Sequence, residues 1–207
     1  MQRPSRIPLF PLDVVLMPGA ELPLHIFEPR YRLMVARCLE ERLEFGMILA
    51  ANQAVAEVGC TAEIVQKIRD YPDGRMDILT KGRVAFHLTE LLDEKEYYEG
   101  TVEYLSDAPA IDDLQQQTRL VQIFERCHAL LFRQPWTDSS EHEPGTLAYR
   151  MAALLPMELE KRQALLEMRS QHARRESVLR WMERFLPRLV AIERTRERAG
   201  GNGHTLN

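Results

Sequence analysis

The residues able to do covalent or acid–base chemistry are few and scattered. The six histidines, His25, His87, His128, His142, His172 and His204, include no HxxxH or HExxH pair, the spacing that puts two imidazoles on one helix face for zinc. The three cysteines, Cys38, Cys60 and Cys127, form no CxxC pair and are odd in number. They read as buried free thiols of a reducing compartment rather than disulfides or a zinc site. There is no GxxxxGK[ST] loop to cradle a phosphate and no GxSxG elbow. A Ser–Lys dyad needs a serine beside a desolvated lysine. The only lysines are Lys67, Lys81, Lys95 and Lys161, and the serines fall in polar loops and charged helical stretches. Glu63, Asp77 and Glu90 alternate with apolar neighbours, which places them on a solvated sheet face. The sequence predicts no catalytic residue, no cofactor and no bound metal.

The elements that would position any site come in two blocks. Residues 7–31, IPLFPLDVVLMPGAELPLHIFEPRY, are strongly apolar yet hold five of the twelve prolines. Val14-Val15-Leu16 is a short strand candidate, Pro18-Gly19 a turn, and Leu22, Leu24 and Ile26 alternate as one buried strand face. Prolines in such strands imply edges, strand starts or bulges, hence a small irregular barrel. Pro29 opens a helix running to about Leu43, with Phe27, Tyr31, Met34, Val35 and Cys38 as its apolar face. Strands follow at 46–50, 59–68, 76–80, around Val84–Leu88 and at 97–105, with Asp73-Gly74 as a hairpin turn. From Leu114 onward the periodicity is helical: Leu120, Phe124, Cys127 and Leu131, then 147–155, then a long region after Met157 that Pro187 should kink or end.

This divides the chain into a β-rich part, 1–106, a helical part, 107–193, and a tail, 194–207, expected to be mobile. A chain of 207 residues can bury about 70% of its unfolded surface, enough for one large or two small domains. Net charge is −4, with residues 160–198 carrying eleven Lys or Arg against six Asp or Glu. That segment reads as a solvated helix face, and the acidic remainder disfavours general nucleic-acid binding. No apolar run approaches the length of a membrane span, and prolines and Asp13 interrupt any signal-peptide core. A soluble, cytoplasmic protein is expected.

Several stretches resemble one family, the N-terminal domain of Lon proteases, in the expected order over about residues 7–190. They are the proline-rich opening, FGMILA, VGCTAEIVQ, DGRMDILTKGRVAFHL, YYEGTVEYL and LPMELEKRQALLEM. Val84 stands where the family pattern varies between an arginine and a hydrophobe. The resemblance implies an α+β fold, a PUA-like β pseudobarrel followed by a C-terminal helical bundle. It also implies a role in recognising and holding polypeptide substrates. The Lon motor and peptidase signatures do not occur in these residues.

The expected function is a non-catalytic polypeptide-binding or adaptor module, with unfolded or specific polypeptides as partners and a protease or chaperone acting in trans. Alternatives are a PUA-like nucleic-acid-binding protein and a small-ligand protein using a cleft between barrel and bundle. Most apolar residues of the opening stretch fill a barrel core. Met17, Pro18 and Leu22, near the predicted turn, are expected to be exposed, and together with His25 they form the candidate polypeptide-binding site. The stripe Val178, Met182, Phe185 and Leu189 is expected to pack within its own bundle, favouring a monomer over a dimer.

Overall fold

A computed structural model describes residues 3–51, 54–109, 113–137 and 145–201. Its elements are β1 (Arg6–Leu12), β2 (Glu21–Ile26), α1 (Pro29–Glu41), β3 (Phe45–Ala51), β4 (Ala54–Asp70), β5 (Met76–Leu92), β6 (Glu99–Tyr104), α2 (Leu114–Phe132), α3 (Leu147–Leu154), α4 (Leu159–Glu167) and α5 (Gln171–Gly201). The fold is α+β. The strands form one mixed sheet in the order β2-β5-β4-β3-β1-β6, and β6 also pairs with β5. Five strands thus close into a ring, which removes their edges. Its core packs Ile7, Leu9, Ile48, Phe86 and Val102 together.

Strand β5 is shared between this ring and a second feature. Its second half, from Phe86 to Leu92, pairs with β6. Its first half, from Met76 to Lys81, pairs with β2. The last pairing of β4 with β3 is Ala62 with Phe45, but β4 continues against β5 to Asp70. Beyond the ring, β2, the end of β4 and the start of β5 therefore make a three-stranded arm. Helix α1 follows β2 in the chain and buries Tyr31, Met34, Val35 and Cys38. Phe27, expected on that apolar face, precedes the helix and is 59% exposed.

The proline-rich opening forms β1 over residues 6–12 rather than a strand at Val14–Leu16. Pro8 and Pro11 fit because β1 changes partner. It pairs with β6 from Arg6 to Pro8 and with β3 from Leu9 to Leu12. The Leu9 N–H donates to the Tyr98 carbonyl on the β6 side. By strand alternation Pro11 also faces that side, where pairing has ended, and Pro8 faces the β3 side, where pairing has not begun. Neither ring takes a donor from a ladder that needs it.

The expected Pro18-Gly19 turn is present. The Ala20 N–H donates to the Met17 carbonyl at 3.0 Å, and Gly19 has φ +78°. Proline followed by a positive-φ glycine is the type II pattern. Gly19 N–H also donates to the Gly82 carbonyl, and Gly82 N–H to the Ala20 carbonyl. This is a glycine bulge that locks the turn onto β5. A Cβ on Gly82 would lie 2.2 Å from the Met17 carbonyl oxygen.

The helical residues do not form one contiguous unit. One compact unit holds the chain through Ala108 together with α3, α4 and the residues to Arg169; α2 and α5 belong to the other. This division differs from the expected boundary at 106 and the single helical region 107–193. In the first unit the Gln163 Nε2 donates to the Val58 carbonyl of β4, and Leu165 and Leu166 are buried. In the second unit Gln116 meets His172, Arg119 pairs with Glu183 and Arg133 with Glu193. Partner numbers rise together, so α2 and α5 run parallel. Parallel helices need a long crossover connection, and α3 and α4 lie within it. Leu120, Phe124, Cys127, Val178 and Met182 are fully buried. Helix α5 continues through Pro187 to Gly201, past residue 193, where the mobile tail was expected to begin; residues 202–207 lie outside the described ones.

Glu99 is a buried carboxylate on β6, with its side chain 5% exposed. It accepts from Arg6 Nε at 2.8 Å, Lys95 Nζ at 2.7 Å and Arg37 Nη1 at 3.3 Å. Burial pushes its pKa up, but the hydrogen bonds from Lys95 and Arg6 outweigh that and hold it below its ordinary 4.5. A depressed pKa contributes stability that is complete above the unfolded value and lost as pH falls through the folded one.

Two outcomes follow. Gly82→Ala should lower stability by about 3 kcal/mol, the upper range for forced overpacking, seen as a drop of roughly 6–12 °C in the thermal transition. Glu99→Gln should cost about 2 kcal/mol at neutral pH, below the figure for a fully buried pair because the cations are part-exposed. In denaturant titrations the gap to the parent protein should close as pH falls below 4.5.

Candidate functional site

The structure separates the four expected site residues. Met17 is fully buried, and Pro18 is buried beside it. Their expected exposure is overturned, because the glycine bulge pulls the turn against Gly82. Leu22 is half-buried, and its carbonyl accepts from the Thr80 hydroxyl at 2.8 Å. His25 is exposed. It stands on the arm's solvent side, at the centre of a cluster that sequence reasoning missed.

Strand alternation builds that cluster. Along β2 the exposed residues are Glu21, Pro23 and His25, while Leu22, Leu24 and Ile26 turn inward. Across the arm, His25 lies opposite Asp77, and Asp77 opposite Arg69. His25 Nδ1 is 2.6 Å from Asp77 Oδ1. The Tyr71 hydroxyl donates to Asp77 Oδ2 at 2.8 Å. The hairpin turn supplies Tyr71: its N–H donates to the Arg75 carbonyl, and Gly74 N–H returns to the Tyr71 carbonyl. Gly74 has φ +84°, which fits the glycine expected at this turn.

The rings extend from there. The Phe27 ring stacks with His25 at 6.0 Å and 22°. Tyr71 meets His25 edge-on at 5.7 Å. The Arg69 and Arg75 guanidinium carbons lie 4.7 and 5.1 Å from the Tyr71 centroid, within cation–π range. Arg75 is paired with Asp73. Arg32, from α1, donates to the Asp73 backbone carbonyl. Hydrogen bonds from His25 and then Tyr71 hold the Asp77 carboxyl below its ordinary range. The bond to Asp77 in turn raises the Tyr71 phenol above 10.0, because it stabilises the O–H form.

The outer strands add apolar surface. Val65 and Ile68 sit where the β4–β5 register slips, each without an opposite residue, and are 42% and 52% exposed. Elsewhere many charged groups are paired. A cavity of about 360 Å³ is lined by Cys38, Arg42, Glu44 and Glu63, where Arg3 pairs with Glu44 and Arg83 with Glu63. Burial pushes the Cys38 thiol up to about 12, so at neutral pH it is not a thiolate nucleophile. His87, His128 and His172 have separate partners, Glu57, the Gln134 carbonyl and Asp113. Among the described residues no group of three or more His, Cys, Asp or Glu could hold a metal.

The arrangement suits contact through rings, apolar groups and guanidinium donors. The signals for it were present in Asp73-Gly74, which brings residue 69 over 77, and in β2 alternation. They were unreadable without the β2–β5 register. Asp77→Asn should return the Tyr71 phenol towards 10.0, measured by NMR titration of ring-labelled tyrosine.

Comparison with known proteins gives this arm a context. The family model for the "ATP-dependent protease La (LON) substrate-binding domain" matches residues 6–184. The Lon protease of Escherichia coli strain K12 is 29% identical over 93% of this chain and 26% of its own length. That of Erwinia amylovora is 27% identical over the same shares. This chain therefore spans about a quarter of these relatives. A Lon N-terminal domain protein from Xanthomonas campestris superposes with TM-score 0.68 at 29% identity, covering 86% of this chain and 99% of that one. The N-terminal domain of Mycobacterium avium complex Lon protease gives TM-score 0.64 at 16% identity, covering 86% and 98%, which supports the fold alone. From its opening strands to α5, the chain belongs to the LON substrate-binding domain family.

Proposed function

We propose that this chain is a non-catalytic polypeptide-binding module whose contact surface is the arm. The observation that carries this is where apolar side chains meet solvent. Phe27, Val65 and Ile68 are 59%, 42% and 52% exposed, and all three sit on or beside the outer strands of the arm. Isolated exposed apolar residues are normal, but three on one arm, one of them stacked on His25, suit an interaction surface. Family membership supports substrate holding as the role. Leu22 and His25 remain in the proposed site; Met17 and Pro18 act by fixing the turn beneath it. The partner we favour is an unfolded or loosely folded polypeptide, delivered to a protease or chaperone acting in trans in the cytoplasm. The Val178–Leu189 stripe packs in its own unit, which supports a monomer.

The test uses a labelled, permanently unfolded polypeptide and fluorescence anisotropy. A Phe27→Glu/Ile68→Glu variant should bind about tenfold more weakly or worse, as loss of central apolar anchors does, with its circular dichroism unchanged. Absence of binding by the parent protein, or equal binding by both, would sink the proposal.

A further inference from the structure

We infer that the arm tip selects polypeptide segments carrying an aromatic side chain next to a carboxylate. This rests on the polypeptide-binding reading of the arm and adds its specificity. The first half of the argument is the ring surface. Phe27 is 59% exposed and lies at the open end of a continuous series through His25 and Tyr71 to Arg69. A partner's aromatic side chain extends that series by offset or edge contact.

The second half is charge. The tip holds four cations, Arg32, Lys67, Arg69 and Arg75, and three carboxylates, Asp70, Asp73 and Asp77. Lys67 pairs with Asp70 and Arg75 with Asp73. Asp77 is hydrogen-bonded to His25 and Tyr71. Among the described residues, neither Arg32 nor Arg69 has a carboxylate within ion-pair distance. Arg32 reaches a backbone carbonyl, and Arg69 lies over the Tyr71 ring. A guanidinium resting on a ring keeps its edge donors in fixed geometry, suited to a bidentate carboxylate. The tip's excess of one cation stands on a protein of net charge −4, so the tip contrasts with its surroundings and orients an acidic segment.

Backbone strand addition does not explain the same surface. Pro23 faces the open side of β2 and offers no N–H there. The register slips at Val65 and Ile68 break the open edge of β4. Recognition is therefore through side chains.

The experiment compares labelled peptides of one length, differing at two central positions: Phe-Glu, Phe-Gln and Leu-Glu. A fourth has the Phe-Glu composition with the two residues far apart. Against the full chain, Phe-Glu should bind at least about tenfold tighter than the others, the scale of one good charge-assisted contact. Arg69→Gln should remove most of that advantage, weakening Phe-Glu at least about fivefold more than Phe-Gln, the coupling expected between groups in contact. Phe27→Ala should weaken Phe-Glu and Phe-Gln alike. If Phe-Glu and Phe-Gln bind equally while Phe27→Glu/Ile68→Glu weakens both, the acidic preference is wrong and the polypeptide-binding reading stands. If neither these peptides nor the unfolded polypeptide bind, both fail. Full displacement of Phe-Glu by a single-stranded oligonucleotide at equal concentration overturns the inference in favour of a nucleic-acid surface.

Discussion

Strand β5 hydrogen-bonds to three other strands, and most of the first unit depends on this. On one side it runs against β4 from Met76 to His87. On the other, β2 takes its first half and β6 its second. A strand paired on both sides over most of its length exposes little unpaired backbone. It can therefore close the ring at one end and carry an arm at the other. The hand-over between β2 and β6 falls near Gly82, where the missing side chain lets the Met17 carbonyl approach. That close approach buries Met17, shapes the turn and sets the register of β2.

The prolines of the opening stretch follow the same backbone accounting. Each one in a strand sits where its missing donor faces no ladder. In β1 this works because the strand changes partner halfway. In β2 it works because the strand is an edge. The open sides of β2 and β4 thus carry a proline and two register slips, the devices that discourage pairing with other chains. A surface protected from backbone pairing in this way can still display side chains, and here it displays rings and guanidinium groups.

Electrostatics separate the two ends of the first unit. Around Glu99, three cations converge on one buried carboxylate and stiffen the junction of β1, α1 and β6. At the arm, charges are exposed and incompletely paired. The first arrangement is a fixed structural contact. The second leaves donors available for a partner, since a surface ion pair contributes little to stability and loses little when exchanged.

By itself the sequence determined the β-then-α order, the positions of most strands, the Pro18-Gly19 and Asp73-Gly74 turns, and the family. These are local signals: period-2 and period-3.6 patterns and residues whose φ preferences are intrinsic. It did not determine which residues meet. Met17 looked exposed because it adjoins a turn, but burial depends on what the turn packs against. Val14–Leu16 looked like a strand by β-propensity, yet the partner-switching β1, prolines included, formed at Arg6–Leu12. The parallel pairing of α2 with α5, and the grouping of α3 and α4 with the strands, are long-range choices invisible to periodicity. Of the four residues expected at a site, Leu22 lies on the arm together with His25. Its companions Asp77, Tyr71 and Arg69 come together only through cross-strand register, which tertiary structure sets by the hydrogen bonds between strands far apart in the chain.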